Sequence, residues 1–359
     1  MIVDADTHVL ETEQTFAYLS KADEKYRPGV LRLEGQMSGD VALGNHAKDF
    51  WLIDGQLYGK HDLQKIENAA KGEIAPGTLD MRDPKARLAA MDLQGVDVAV
   101  IYTSLFLVTS IGDANAELAL TKSFNRWQAD VCSADPKRFK FVMLVCPRRI
   151  EQSIAEMKWA RDNGACGIML RGFEGEQTLD HPDFYPLLAK AADLDMPICV
   201  HIGHGSRNYR GIKIGGDGIR IDPFTIRAPT LIAFSCLIRG DLNKKFPKLR
   251  FAIVEAGASW LPSIGVMALR ARRAPDRAAA VRQALVDHNI YITCEDHEDF
   301  DHILPYAGDD NLVIGSDFGH PGDVAESIHV QRDFRARKEV PEPVKARILG
   351  DNGRVLYGL

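Results

Sequence analysis

A chain of 359 residues has room for one large domain or two ordinary ones, and 45% hydrophobic with 26% charged residues excludes a disordered polypeptide. The formal net charge of −6 argues against a nucleic-acid partner, which needs a basic excess or stripe. No apolar run approaches the roughly 20 residues of a membrane span, so no membrane partner is expected.

The first element is the strand-like run Ile2–His8, IVDADTH. It begins at once, so no signal peptide is expected ahead of it. Residues of about 12–82 then separate this run from the helical pattern Pro84–Leu93, and they include the Gly-rich and polar LEGQMSGDVALGNHAKDF. That connection exceeds the usual few residues and reads as an insertion. The run Val96–Ser104 precedes the helix Ala114–Ala134, and Phe139–Val145 precedes Glu151–Asn163. Asn163-Gly164 ends that helix and hands over to Cys166–Arg171. Phe184–Leu194 leads to Met196–Ile202, after which 203–229, with GHGSRNYRGIKIGGDG, forms a second long connection. The helix Leu231–Phe246 leads to Leu249–Ala256. A mostly helical 257–288, with room for an extra helix, leads to Asn289–Glu295, and the last run is Asn311–Phe318. Proline at Asp83-Pro84, Asp135-Pro136 and His181-Pro182 marks turns and helix starts.

Eight short apolar runs alternating with helices imply βαβ units and a parallel sheet, and eight favour a closed barrel. The fold class is therefore α/β, a (β/α)8 TIM barrel in a single domain over 1–359. The insertions 12–82 and 203–229 form lids over its C-terminal face, where the loops after the strands lie. The cysteines Cys132, Cys146, Cys166, Cys199, Cys236 and Cys294 lack C-x-x-C spacing and read as free thiols, three of them within apolar runs, in a reducing, cytoplasmic setting. Four arginines between Arg270 and Arg277 read as a solvated helix face.

Side chains alternate along a strand, so Asp6 and His8 project to one side, at the barrel mouth. A carboxylate and an imidazole so placed chelate a divalent ion. Alone, D-x-H is a weak signal. His201 at the end of run five and Asp317 at the end of run eight bring further ligand-type groups to the same place. The plain alternative is a set of unrelated buried polar groups, each needing its own partners.

These pieces resemble a known family. DADTH at the start, VHIG at strand five, LRFAIVEAGASWLP at strand six and NLVIGSDFGHP at strand eight are similar, in this order, to the amidohydrolase superfamily. The branch is the one containing aminocarboxymuconate-semialdehyde decarboxylase and aromatic-acid decarboxylases. The resemblance implies the barrel, one divalent metal ion (zinc, manganese or iron) and a catalytic acid/base at Asp317. It also implies a small-molecule substrate and a homodimer. Two departures stand out. The first motif is Asp6-Thr7-His8 rather than H-x-H or E-x-H, and Glu255 replaces the strand-six histidine. No lysine ends strand four, which argues against a binuclear centre bridged by a carbamylated lysine.

Glu255 is either a ligand or catalytic acid/base, or a group that orients His201 or binds an arginine. Arg171 either pairs with an anionic substrate or neutralises Glu255 or Asp317. Arg207 is a second candidate for an anionic substrate, and His204 and His320 are candidates for substrate binding or proton shuttling. Glu295 and Asp296 at strand seven belong with them. Trp260 and Phe318 are either pocket walls or core, and His46, His61, His181, His288, His302 and His329 read as loop or surface residues. Two chemistries suit the metal set of Asp6, His8, His201 and Asp317. One is non-oxidative decarboxylation of a small oxygenated or aromatic acid, with Asp317 or Glu255 protonating the carbon that loses carbon dioxide. The other is hydrolysis of a C–N, C–O or C–C bond, with Asp317 moving the proton. A barrel that binds without catalysing is a third reading.

Overall fold

The computed structural model describes residues 1–32, 49–70, 72–209, 213–214, 220–221, 223–320 and 324–359. The readings that fall on 33–48, with His46 and most of the Gly-rich stretch, and on 210–212, 215–219 and 222 in the second insertion lie outside the described residues.

Eight parallel strands stand side by side in chain order. They are β1 (Val3–Val9), β2 (Val98–Thr103), β3 (Phe139–Leu144), β4 (Ala165–Arg171), β5 (Ile198–His201), β6 (Phe251–Val254), β7 (Ile290–Cys294) and β8 (Leu312–Ile314). The seam closes where β8 runs on beside β1. Thr7 and Phe318 form a parallel bridge, the Ser316 and Asp317 N–H groups donate to the Asp6 carbonyl at 3.1 and 3.0 Å, and His8 N–H donates to Phe318 at 2.7 Å. A side chain at Gly315 would place its Cβ 2.7 Å from that of Asp6, so glycine is what lets the two ends meet. The result is a (β/α)8 barrel. Lys140 on β3 is the one strand residue that is not fully buried, because helices cover the outside and side chains fill the inside. That double burial is why the runs read as continuous apolar stretches.

The helix expected to open at Asp83-Pro84 does so. In α1 (Pro84–Gln94) the Asp83 carboxylate accepts from the Lys85 and Ala86 N–H groups, and Gly95 ends the helix at φ 70°. Asp113 caps α2 (Ala114–Cys132) in the same way. α3 (Ile150–Asp162) and α4 (Tyr185–Asp193) follow. The next helix departs from expectation: α5 spans Pro223–Arg239 rather than Leu231–Phe246. Pro229 lies inside it, packed so close to Gly172 that a Cβ there would stand 2.0 Å from the Pro229 carbonyl carbon. Tertiary packing thus overrides the breaker. A separate short helix, Leu242–Lys245, completes the connection.

The extra helix after β6 is present as α6 (Leu261–Ala268), ahead of α7 (Arg277–Asp287). Arg270, Arg272, Arg273 and Arg277 are exposed, as expected of a solvated run, but they do not share one helix. Arg270 takes a left-handed φ of 53°, a short 3-10 turn covers Ala271–Arg273, and Asp276 caps α7.

The first insertion contains a three-stranded antiparallel sheet, Gly29–Arg32, Asp49–Ile53 and Gln56–Lys60. Asp54 and Gly55, both at positive φ, make its two-residue hairpin. The insertions meet where Arg207 Nη2 lies 3.0 Å from Asp54 Oδ2. All six cysteines are free thiols. Among the described residues no helix is long and apolar enough to cross a membrane.

Candidate metal centre

Asp6 and His8 project together from β1, both buried. His8 Nδ1 donates to the Thr103 carbonyl at 2.8 Å, which leaves Nε2 as the nitrogen with a lone pair. His201, the last residue of β5, uses Nδ1 likewise toward the Ile202 carbonyl at 3.2 Å. Both Nε2 atoms point at Asp6 Oδ1, from 3.4 Å for His8 and 3.5 Å for His201. Glu255 Oε2 closes the group at 3.3 Å from His201 Nε2 and 3.8 Å from His8 Nε2.

Glu255 follows directly on the end of β6 and Asp317 comes three residues after the end of β8, and each takes a left-handed φ, 60° and 55° respectively. Such a conformation is costly for a residue with a side chain and gathers at functional sites. The Glu255 N–H donates to Thr293 Oγ1 at 2.7 Å, which holds its turn, while the Asp6 carbonyl holds that of Asp317. Asp317 Oδ1 lies 3.4 Å from His8 Nε2.

Asp6 Oδ1, His8 Nε2, His201 Nε2, Glu255 Oε2 and Asp317 Oδ1 are all shielded from solvent and have no hydrogen-bond partner. Five orphaned polar atoms around one point would be expensive unless a cation joined them. Ligands about 2.1 Å from a shared ion stand roughly 3–3.5 Å apart, close to the separations found here. The donors fit a divalent metal. The most compact set is Asp6, His8, His201 and Glu255, whose ligand atoms all lie within 4.8 Å of one another; Asp317 groups instead with Glu255 and His320.

The electrostatics agree. Burial pushes the Asp317 carboxyl up to about 7, aided by Asp6 and Glu295 and opposed by His8. Burial, with Asp317 and Asp6 nearby, raises Glu255 well above the carboxylate range. Burial works against Asp6 too, but His201 and His8 beside it hold its carboxyl well below the usual range. Without a cation, the three carboxylates cannot comfortably be ionised together.

The remaining candidates are dispersed. His320 stays at the centre, with Nδ1 3.6 Å from Asp317 Oδ2. Arg171 does not neutralise Glu255 or Asp317. Its Nε and Nη2 bond Glu174 at 3.0 and 2.6 Å, and its Nη1 reaches the Phe106 and Thr109 carbonyls. With its donors committed to the chain, Arg171 is a buried structural cation. Arg171→Met is expected to cost about 3–5 kcal/mol of stability by leaving Glu174 unpaired, read in a urea titration. Unchanged stability with a raised KM would restore the substrate role.

Arg207 pairs with Asp54 and the Ser110 carbonyl. His204 donates to the Ser206 carbonyl and packs on Tyr209. Trp260 donates to the Gly257 carbonyl and packs edge-on against Phe234 of α5, its centroid 4.7 Å away. Phe318 is buried in a cluster with Leu10 and Leu79.

A cavity of about 790 Å³ opens over the centre, lined by Asp6, Glu255, Asp317 and His320 and by Glu295, Asp296, Glu326 and Asp333. Arg227 of α5 is the one arginine or lysine among the described lining residues, with Nη2 3.9 Å from Glu295 Oε1. Sequence reading missed it because its stretch read as loop. It also missed Glu11, whose buried carboxylate accepts from the Ser104 and Leu105 N–H groups and so fixes the turn that holds His8. His329, read as a surface residue, lines the cavity and lies 3.3 Å from Glu73.

Comparison with known proteins adds to this geometry. The sequence profile of the Amidohydrolase family matches residues 3–359. A 2-amino-3-carboxymuconate-6-semialdehyde decarboxylase of Dictyostelium discoideum is 23% identical over 375 residues, covering 99% of this chain and 91% of that one. Among solved structures, an amidohydrolase of Mycobacterium avium subsp. paratuberculosis superposes with a TM-score of 0.73 at 18% identity over 99% of both chains. A 5-carboxyvanillate decarboxylase of Novosphingobium aromaticivorans, complexed with manganese and 4-hydroxy-3-methoxy-5-nitrobenzoic acid, gives a TM-score of 0.61 at 20% identity. That match covers 76% of this chain and 79% of that one.

Proposed function

The chain belongs to the amidohydrolase family, and from that premise we propose that it decarboxylates a small oxygenated or aromatic carboxylic acid at a single divalent metal ion. Family membership makes it a metal-dependent enzyme of decarboxylase or hydrolase type. The observation that carries the metal site is the convergence of unpartnered, buried donors from Asp6, His8, His201 and Glu255, with Asp317 alongside. When bound there, the ion supplies Lewis acidity toward an oxygen of the substrate or of water.

The residues of the chain do the rest. Asp317 stands at the cavity wall beside the ligand atoms, where burial raises its carboxyl in the metal-free protein, and it is the carboxylate placed to carry a proton to or from a bound substrate. In decarboxylation it delivers that proton to the carbon losing carbon dioxide. Arg227, which lines the cavity with its Nη2 3.9 Å from Glu295 Oε1, is the arginine placed to orient an acid by exchanging a protein partner for the substrate. Arg227→Gln is expected to raise KM for an acidic substrate about 10- to 100-fold with a smaller effect on kcat, as loss of a charge-assisted hydrogen bond does. Steady-state kinetics check this.

Decarboxylation is preferred because the relative matched along nearly the whole chain is a decarboxylase. Hydrolysis is the second reading. It is favoured by the lining, where Asp6, Glu255, Glu295, Asp296, Asp317, Glu326 and Asp333 face one arginine, an unwelcoming surface for an anion. Incubating metal-loaded enzyme with hydroxylated benzoic acids, and separately with amides and lactones, decides between them. Chelator-sensitive release of carbon dioxide is the expected result. Turnover of amides or lactones without any carbon dioxide would transfer the assignment to hydrolysis.

A further inference from the structure

We propose that Tyr357 is a positioning residue for the metal centre: its hydroxyl holds a bulge in β1, and the bulge turns Asp6 toward the ligand group. This role rests on the metal-dependent reading above and falls to a residue that is not among the ligands.

The pairing of β1 with β2 is irregular. Asp4 pairs with Ala99 and Thr7 with Ile101, so Ala5 and Asp6 together stand opposite the single residue Val100. Such a bulge is rare in a parallel pair, and bulges next to active sites re-aim side chains. In a regular strand Asp4, Asp6 and His8 would share one face. Here only Asp6 and His8 join the ligand group, while the Asp4 carboxylate accepts from the Ser316 N–H at 3.0 Å and from the Ser316 hydroxyl. Without the extra residue Asp6 would pair with Ile101 and Thr7 with Tyr102. The Tyr102 ring faces the imidazoles inside the barrel, with centroids 6.2 Å from His8 and 5.1 Å from His201. Thr7 would then take the inner face, and Asp6 and His8 the outer one, since a one-residue slip reverses the faces. Thr7 instead bonds Arg87 of α1 on the outside.

A bulge disrupts the local ladder, and a buried carbonyl there calls for a donor from elsewhere. Tyr357 supplies one. It is wholly buried at the end of the helix Asn352–Tyr357, and its hydroxyl donates to the Ala5 carbonyl at 2.7 Å. A phenol carries one proton, so the Tyr102 hydroxyl, 2.8 Å away, donates to Tyr357 in turn. The helix itself is tied to the barrel. Asn352 Nδ2 donates to the Asp309 and Leu312 carbonyls at 2.7 Å each, and Arg250 Nε donates to the Leu356 carbonyl at 2.8 Å. The bulge is therefore braced by an element that lies outside the cavity and holds no ligand.

The test is titration of metal-free full-length protein with Co²⁺, followed by visible absorption, for the wild type and Tyr357→Phe. The wild type is expected to bind about one equivalent. The variant is expected to keep the far-ultraviolet circular dichroism of the metal-free wild type, to bind Co²⁺ about 10- to 100-fold more weakly, and to show shifted cobalt bands, as loss of a group that orients a ligand does. Should the single variant be unstable, Tyr102→Phe/Tyr357→Phe leaves no hydroxyl stranded in the barrel and gives the same reading. An unchanged dissociation constant with unchanged bands overturns the role of Tyr357 and leaves the metal site intact. A wild type that binds no Co²⁺ overturns both.

Discussion

His201→Ala is expected to lose bound metal and turnover together. His201 Nε2 is buried, unpartnered and directed at Asp6 and Glu255. Losing a group that merely orients a ligand already lowers affinity by about 10- to 100-fold, so losing a ligand itself should exceed ~100-fold. A thermal melt with and without added zinc reads the effect without any substrate. Free ion at about 1,000 times Kd stabilises the native protein by roughly 4 kcal/mol, and the variant should show none of that gain. A variant that still melts higher in zinc would place the ion elsewhere.

Asp317→Asn separates chemistry from binding. The amide keeps the shape but neither carries the proton nor presents a negative oxygen. The most compact ligand group, Asp6, His8, His201 and Glu255, does not include Asp317. The variant is therefore expected to retain its tight metal ion while kcat falls by about 10²- to 10⁴-fold, the range for loss of a general acid/base. Paired elemental analysis and kinetics read both quantities. Loss of the metal would make Asp317 chiefly a ligand, and near-normal kcat would move the proton to Glu255.

Much of the barrel was legible because parallel strands are buried on both faces, and a strand buried on both faces must be a short, β-branched apolar run. An aspartate or histidine at the end of such a run then stands out, which is how Asp6, His8, His201 and Asp317 were singled out, while Glu255 was noticed because it stands where the resembling family has a histidine. What the sequence hid were partners. RGFE contains Arg171 and its own counter-ion Glu174 three residues apart. Any of several carboxylates was an equally good guess until the chain turned back on itself. Arg227 was hidden for another reason: 203–229 read as one long connection, whereas a helix begins at Pro223 and runs through Pro229, which packs against Gly172. The Asp54-Gly55 hairpin left a readable signal that went unused among the polar residues of the first insertion.

The most direct test of the account is an anomalous difference map from crystals of the native protein, collected at the absorption edge of the metal found by elemental analysis. The account predicts one dominant peak bonded to Asp6, His8, His201 and Glu255 at the mouth of the barrel, at distances of about 2.0–2.2 Å. A featureless map at that place in metal-loaded crystals, or a peak elsewhere on the chain, would contradict it.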